Sequence, residues 1–174
     1  MSLDHALVLG ITKSGKSTLL HWLAKLHHAR GDGVLILDPR RDHGWPNDPT
    51  RVRFARDAEH VLDLAKRSQR CALFIDESAR MLGRDARFDW LTTESRHQGH
   101  VAYLSALRAT MVLPSLRAQC ARAFVFRQSL SDARELADQF AEPRLIEAAS
   151  LPRHQFIEVE SCGGARRRML TLPR

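Results

Sequence analysis

Apolar and polar positions fall in blocks along the chain, and the blocks change period. Ala6–Gly10 is a short apolar run ending in glycine. From Lys16 to Arg30 the apolar residues Leu19, Leu20, Leu23 and Leu26 recur at the helical period, and Gly31 offers a stop. Gly33–Asp38 (GVLILD) is apolar without interruption, the pattern of a strand covered on both faces. Pro39 to Arg53 is polar, basic and rich in turn residues, which predicts a loop. Ala58, Val61, Leu62 and Ala65 mark a second helix, and Cys71–Asp76 (CALFID) a further buried strand.

The second half continues the alternation. A helix is predicted over Ala86–His97, ending by Gly99, then a strand at Val101–Ala106. Pro114–Cys120 fits a short helix with proline in its first turn, and Ala123–Phe126 a fifth strand. Ser129–Phe140 is a helix opened by Ser129 with Asp132 three residues on, and Pro143–Ser150 a short helical piece. Gln155–Glu160 and Arg166–Thr171 flank Gly163-Gly164, which predicts a β-hairpin. Strands alternating with helices imply right-handed crossovers and a mainly parallel sheet between two helical layers, an α/β fold. The expected organisation is one domain over residues 1–174, with a core at about 5–140 and an extension carrying the hairpin at about 141–174.

Composition narrows the class. The chain has 174 residues, 44% hydrophobic and 27% charged, which fits a globular protein and excludes a disordered one. Net charge is +7, and 23 of the 27 basic residues are arginine. That favours a polyanionic partner, with arginine suited to bidentate phosphate contacts. Cys71, Cys120 and Cys162 are scattered and form no CxxC pair, so neither a disulfide framework nor a zinc ribbon is predicted. His97/His100 and His27-His28 have no Cys or acidic partner at metal spacing, so no transition metal is expected there. No apolar run reaches the roughly 18 residues of a membrane helix, and no secretory leader is predicted.

Two motifs carry chemistry. Gly10-Ile11-Thr12-Lys13-Ser14-Gly15-Lys16-Ser17, running on into Thr18, matches G-x-x-x-x-G-K-[ST] between a strand and a helix. Glycines let the backbone wrap a phosphate, and the amides at the helix start cradle it. Lys16 is assigned to the β/γ-phosphates and the Ser17 hydroxyl to Mg²⁺. Cys71–Asp76 then ends in Asp76-Glu77. Asp76 is placed to help hold Mg²⁺, and Glu77 to polarise the attacking water. A small-molecule kinase has no need of a water-activating Glu, so the pair favours ATP hydrolysis.

With these motifs the sequence resembles the additional-strand, catalytic-Glu P-loop ATPases. Asp38-Pro39 looks like the strand ending of the HerA–FtsK group. Arg96-His97-Gln98-Gly99 and Pro114-Ser-Leu-Arg117-Ala-Gln119-Cys120-Ala-Arg122-Ala-Phe124-Val-Phe126 resemble segments of the genome-packaging ATPases of tailless icosahedral phages with an internal membrane. The resemblance covers about residues 5–140. It implies a RecA-like core with its five strands in the order 5-1-4-3-2. It also implies a ring of about six subunits and ATP-driven translocation of double-stranded DNA. Capsid-vertex or viral membrane proteins would be further partners, and the host cytoplasm or the virion packaging vertex the place of action.

One departure stands out. The family carries Gln at the end of the fourth strand, and this chain reads Ser105-Ala106-Leu107-Arg108. Ser105 or Arg108 is expected in that role, unless the alignment slips by a residue. A ring ATPase also needs a cation reaching the neighbour's γ-phosphate. Arg96 is the first candidate from its place before the fourth strand, followed by Arg117 and Arg122. Arg40, Arg41, Arg51 and Arg53, or the run Arg166-Arg167-Arg168, are candidates for DNA phosphates, with a solvated charged surface as the plain alternative. Three other readings stay open: a filamentous-phage assembly or conjugation-coupling ATPase, a small-molecule kinase, and a nucleotide-binding switch.

Overall fold

The computed structural model describes residues 4–161 and 163–170. Its centre is one sheet of eight strands: β1 (Ala6–Leu9), β2 (Gly33–Leu37), β3 (Val52–Phe54), β4 (Cys71–Ile75), β5 (Val101–Ala106), β6 (Arg122–Val125), β7 (Gln155–Glu160) and β8 (Gly163–Met169). Their spatial order is β3-β2-β4-β5-β1-β6-β7-β8. From β3 to β6 all neighbours are parallel. β7 runs antiparallel to β6, and β8 to β7. The five core strands thus stand in the expected order, with β6 beside β1 and β2 outermost of the five.

The two-residue period of a strand sorts the core onto two faces. Ala6, Val8, Ile36, Phe74 and Tyr103 face α1 (Lys16–Ala29), packing on Leu19, Leu20, Leu23 and Ala24. Leu7, Leu9, Leu73, Ile75 and Leu104 face the other way. There they meet α2 (Ala58–Lys66), α3 (Ser78–Leu82), α4 (Pro114–Ala118) and α5 (Leu130–Gln139). Every residue of β4 and β5 is buried. Those uninterrupted apolar runs are what a strand sandwiched between helical layers requires. Phe74 and Tyr103 stack face to face, centroids 4.9 Å apart. The Tyr103 hydroxyl and His27 Nε2 are hydrogen-bonded at 2.9 Å, so the buried phenol is satisfied.

Three expectations need correction. The Pro39–Arg53 stretch is not loop throughout, because Val52–Phe54 pairs with β2 as a short edge strand, with Val52 buried against the core. Ala86–His97 is not one helix but two 3₁₀ segments, Ala86–Leu91 and Ser95–Gln98. Thr92 and Thr93 sit between them, and both hydroxyls donate to Asp89 O, competing with helical continuation. Gly163 and Gly164 do not form the hairpin turn: they lie within β8, where Gly163 pairs with Glu160. Thr171 and Cys162 lie outside the described residues. α3 follows directly on Asp76-Glu77, with Glu77 at its N-terminal end.

Candidate functional site

The site forms where parallel strands end and helices begin, at the C-terminal edges of β1, β4 and β5. After β1 the chain turns sharply back on itself. Gly10 N–H donates to Ala106 O (3.3 Å) and Ile11 N–H to Arg127 O (2.9 Å), so β5 and the end of β6 hold the loop on both sides. A Cβ on Gly10 would sit 2.6 Å from Phe126 Cβ and 2.8 Å from Ser14 Oγ, too close for any side chain. Gly15 adopts φ 122°, which L-residues avoid. Lys13, at φ 64°, completes the turn with its side chain exposed. The Leu19 amide is the first to bond back in α1, to Gly15 O at 3.0 Å. The amides ahead of it, at Lys16, Ser17 and Thr18, have no carbonyl within the helix, and they make a positive end for an anion.

Lys16 folds back over the loop, its Nζ donating to Gly10 O (2.8 Å) and Ile11 O (3.1 Å). Burial lowers its pKa below the usual lysine value, against the pull of Asp76. Ser17 Oγ donates to Asp76 Oδ2 at 3.0 Å, so helix start and strand end already meet. Asp76 is 5% exposed and fully engaged. Its Oδ1 accepts from the Glu77 amide (3.0 Å) and from the Ser105 hydroxyl. Ser105 Oγ in turn accepts from the Glu77 amide at 3.1 Å. The register pairs Ile75 with Leu104, which puts Ser105 beside Asp76.

Glu77 turns the chain through a left-handed conformation, φ 50° and ψ 43°, strained for a residue with a side chain. Its carboxylate takes Arg40 Nη2 at 2.6 Å and Arg80 Nη1 at 3.2 Å. Partial burial pushes its pKa up, but the hydrogen bonds and charges of Arg40 and Arg80 together outweigh this and hold it below the usual range. Arg40 is itself set by Asp38, whose carboxylate accepts from the Arg40 amide (2.8 Å), the Asp42 amide (3.0 Å) and Trp45 Nε1 (2.8 Å). Lys16, Ser17, Arg40, Asp76, Glu77, Arg80 and Ser105 line a cleft of about 490 Å³, together with Thr12, Lys13, Gly15, Thr18, Leu107, Met111, Arg153 and His154.

The structure therefore brings Lys16, Ser17, Asp76 and Glu77 into one cleft. Arg96 is elsewhere: exposed, before the start of β5, its guanidinium donating to Gln119 O at 3.4 Å. Arg117 lies 3.6 Å from Glu135, and Arg122 is buried in ion pairs with Glu158 and Glu160. Of the two residues considered for the missing Gln, Ser105 is in the site, bound to Asp76. Arg108 turns away to Asp132 (3.1 Å). In the basic tail, Arg167 binds Gln155 and Arg168 binds Glu158. Sequence reasoning missed Arg40 and Arg80 on Glu77, and Arg153 and His154 in the cleft. It also missed a second donor group, His21, Asp38 and Asp42, whose ligand atoms lie within 4.8 Å of one another. For Asp38, its place closing the second strand was the available signal.

No family model and no curated protein matches the sequence. Solved structures do match. The genome packaging NTPase B204 of Sulfolobus turreted icosahedral virus 2, in complex with AMPPCP, superposes with TM-score 0.81 at 18% identity, over 99% of this chain and 100% of that one. VirB4 of Thermoanaerobacter pseudethanolicus gives 0.72 at 9%, over 97% and 90%. The pCW3 conjugation coupling protein TcpA, with ATPγS, gives 0.66 at 14%, over 97% of this chain and 60% of that. Over nearly its whole length the chain has the RecA-like P-loop ATPase fold that these proteins share.

Proposed function

We propose that this chain hydrolyses ATP to move double-stranded DNA, as the genome-packaging motor of a HerA–FtsK-type virus system. The observation that carries the reading is one cleft in which a phosphate loop, a Ser17–Asp76 pair and a carboxylate at Glu77 converge. The likeness in fold to B204, a genome packaging NTPase, supports the direction of the reading.

The loop amides and Lys16 bind the β- and γ-phosphates, Lys16 leaving the Gly10 and Ile11 carbonyls for the anion. Ser17 and Asp76 suit a hard cation, an alcohol and a carboxylate oxygen 3.0 Å apart. Mg²⁺ held there would neutralise charge on the phosphates. Glu77 accepts a proton from the attacking water as its oxygen bonds the γ-phosphorus and the bond to ADP breaks, giving ADP and phosphate. Ser105 fixes the Asp76-Glu77 backbone while this happens. Arg96 of a neighbouring subunit is the proposed trans cation in a ring, and exposed arginines such as Arg41 and Arg51 the contacts to DNA phosphates. Site of action is proposed as the host cytoplasm or the packaging vertex. Among the described residues no helix is long and apolar enough to cross a membrane.

The likeness to VirB4 and TcpA supports a second reading, a conjugation or assembly motor with the same cleft. Steady-state ATPase rate, with long duplex DNA, with single strands and with neither, at two salt concentrations, tests both. Duplex stimulation that fades with salt is expected. Preference for single strands would favour the second reading, and turnover indifferent to DNA would overturn the translocase.

A further inference from the structure

The geometry points to Arg153 as a nucleotide-binding residue supplied by the C-terminal extension, one that donates to the phosphates of the bound nucleotide. This rests on the ATPase reading above. The cleft holds several cations, and most are already committed. Lys16 lies on the loop carbonyls, while Arg40 and Arg80 hold Glu77. Arg153 lines the same cleft with an exposed side chain, and makes no hydrogen bond or ion pair to a described residue.

The backbone that presents Arg153 is built onto the phosphate loop. The His154 amide donates to Ser14 O at 2.9 Å, inside the loop itself. The Leu170 amide donates to His154 O at 2.9 Å, and the Gln155 amide to Pro152 O at 3.2 Å. So Arg153 sits in a turn tied to the loop on one side and to the residue after β8 on the other. His154 is held at φ 65°, a conformation that a histidine keeps only when its surroundings enforce it. Its ring stands over the loop: a Cβ on Gly15 would lie 3.1 Å from His154 Nδ1, a buried nitrogen without a hydrogen-bond partner. His154 is thus the positioning residue, and its ring, with Phe126 Cε1 at 3.0 Å, leaves no room for a Cβ on the second loop glycine.

A guanidinium at such a place has a physical task. Its planar fork pairs with two phosphate oxygens at once, and a charge-assisted hydrogen bond is about twice as strong as a neutral one. The turn is fixed, so little ordering of the backbone opposes the contact. The contact would be made to ADP as much as to ATP, unlike one that waits for the γ-phosphate. Arg153 would therefore set nucleotide affinity, leaving the water-activating step to Glu77.

The test is binding of a fluorescent ADP with Mg²⁺ to the whole chain, competed by ATP and by GTP. Arg153→Ala is expected to weaken ADP and ATP together by about tenfold, and Arg153→Glu by more, with Arg153→Lys recovering part. KM for ATP should rise in step with Kd, kcat changing less than about twofold. The GTP-to-ATP affinity ratio should stay put. A shifted ratio would mean that Arg153 reads the base, and the phosphate assignment falls. Wild-type-like affinities in Arg153→Ala and Arg153→Glu, beside a wild-type chain that binds well and a Lys16→Ala chain that does not, overturn the inference alone. A wild-type chain that binds no nucleotide overturns the ATPase reading with it.

Discussion

Glu77→Gln separates binding from hydrolysis, and its effect can be estimated from the cleft. Glutamine keeps the shape and one carbonyl acceptor but loses the charge and the proton affinity. Losing a positioned general base costs about 10²–10⁴ in rate, which at ~1.36 kcal/mol per decade is about 3 to 5 kcal/mol on the barrier. Stability should hardly move. Glu77 is 30% exposed and its partners are more so, and exposed ion pairs contribute about 0–1 kcal/mol each. Removing one negative charge from a cleft that holds Lys16, Arg40 and Arg80 makes it more positive, so ATP binds at least as well. The assay is steady-state phosphate release alongside fluorescent-ATP binding, on wild type and variant. A variant that binds ATP and turns over within about tenfold of wild type would refute Glu77 as the base. A variant that fails to bind would show that the carboxylate shapes the site instead.

Three further outcomes follow from other parts of the fold. Ser105→Ala removes a fully buried hydroxyl that serves both Asp76 and the Glu77 amide. A loss of about 1–3 kcal/mol is expected, hence a melting temperature lower by about 2–12 °C, and an unchanged melting curve would contradict the network. Gly15→Ala places a methyl 3.0 Å from Phe126 Cε1 and 3.1 Å from His154 Nδ1 at φ 122°, so nucleotide binding should fall by more than about tenfold; normal affinity would mean that the loop deforms freely. His5 is buried, and desolvation followed by the Arg96 charge pushes its pKa down to about 4. Between pH 6.5 and 4 the unfolded chain binds this proton and the folded one does not, so stability is full above 6.5 and falls as pH drops through that window. The loss approaches about 3 kcal/mol, read from urea midpoints against pH, and His5→Gln should flatten the curve. A slope that His5→Gln leaves untouched would assign the effect to other groups.

How much of this was legible depended on whether a residue's role is set by its neighbours in sequence or in space. The buried strands announce themselves because both faces are covered, so β4 and β5 read as unbroken apolar runs. The glycine-bearing turn from Gly10 to Ser17 reads directly, since one short segment holds all its parts, and Asp76-Glu77 reads from the strand that ends in it. β3 was illegible: three residues, two of them exposed, carry no periodicity, and only pairing with β2 makes them a strand. The 3₁₀ break at Thr92-Thr93 depends on hydroxyls choosing Asp89 O, which apolar spacing does not encode. Arg40 on Glu77 joins residues 37 apart. Arg153 and His154 reach the loop from the far end of the chain, across the antiparallel strands, so no local pattern could place them.

The sheet's two outer strands carry a consequence for how copies of this chain meet. An open sheet edge is a template on which another strand can grow, and proteins blunt it with shortness or charge. Here one edge is β3, only three residues long. The other is β8, where Arg166, Arg167 and Arg168 are all exposed. Exposed positive charge along this edge works against two copies zipping together edge to edge. Edge-to-edge pairing is thereby disfavoured, which leaves loops, helices and the ends of strands as the better surfaces for copies of this chain to meet.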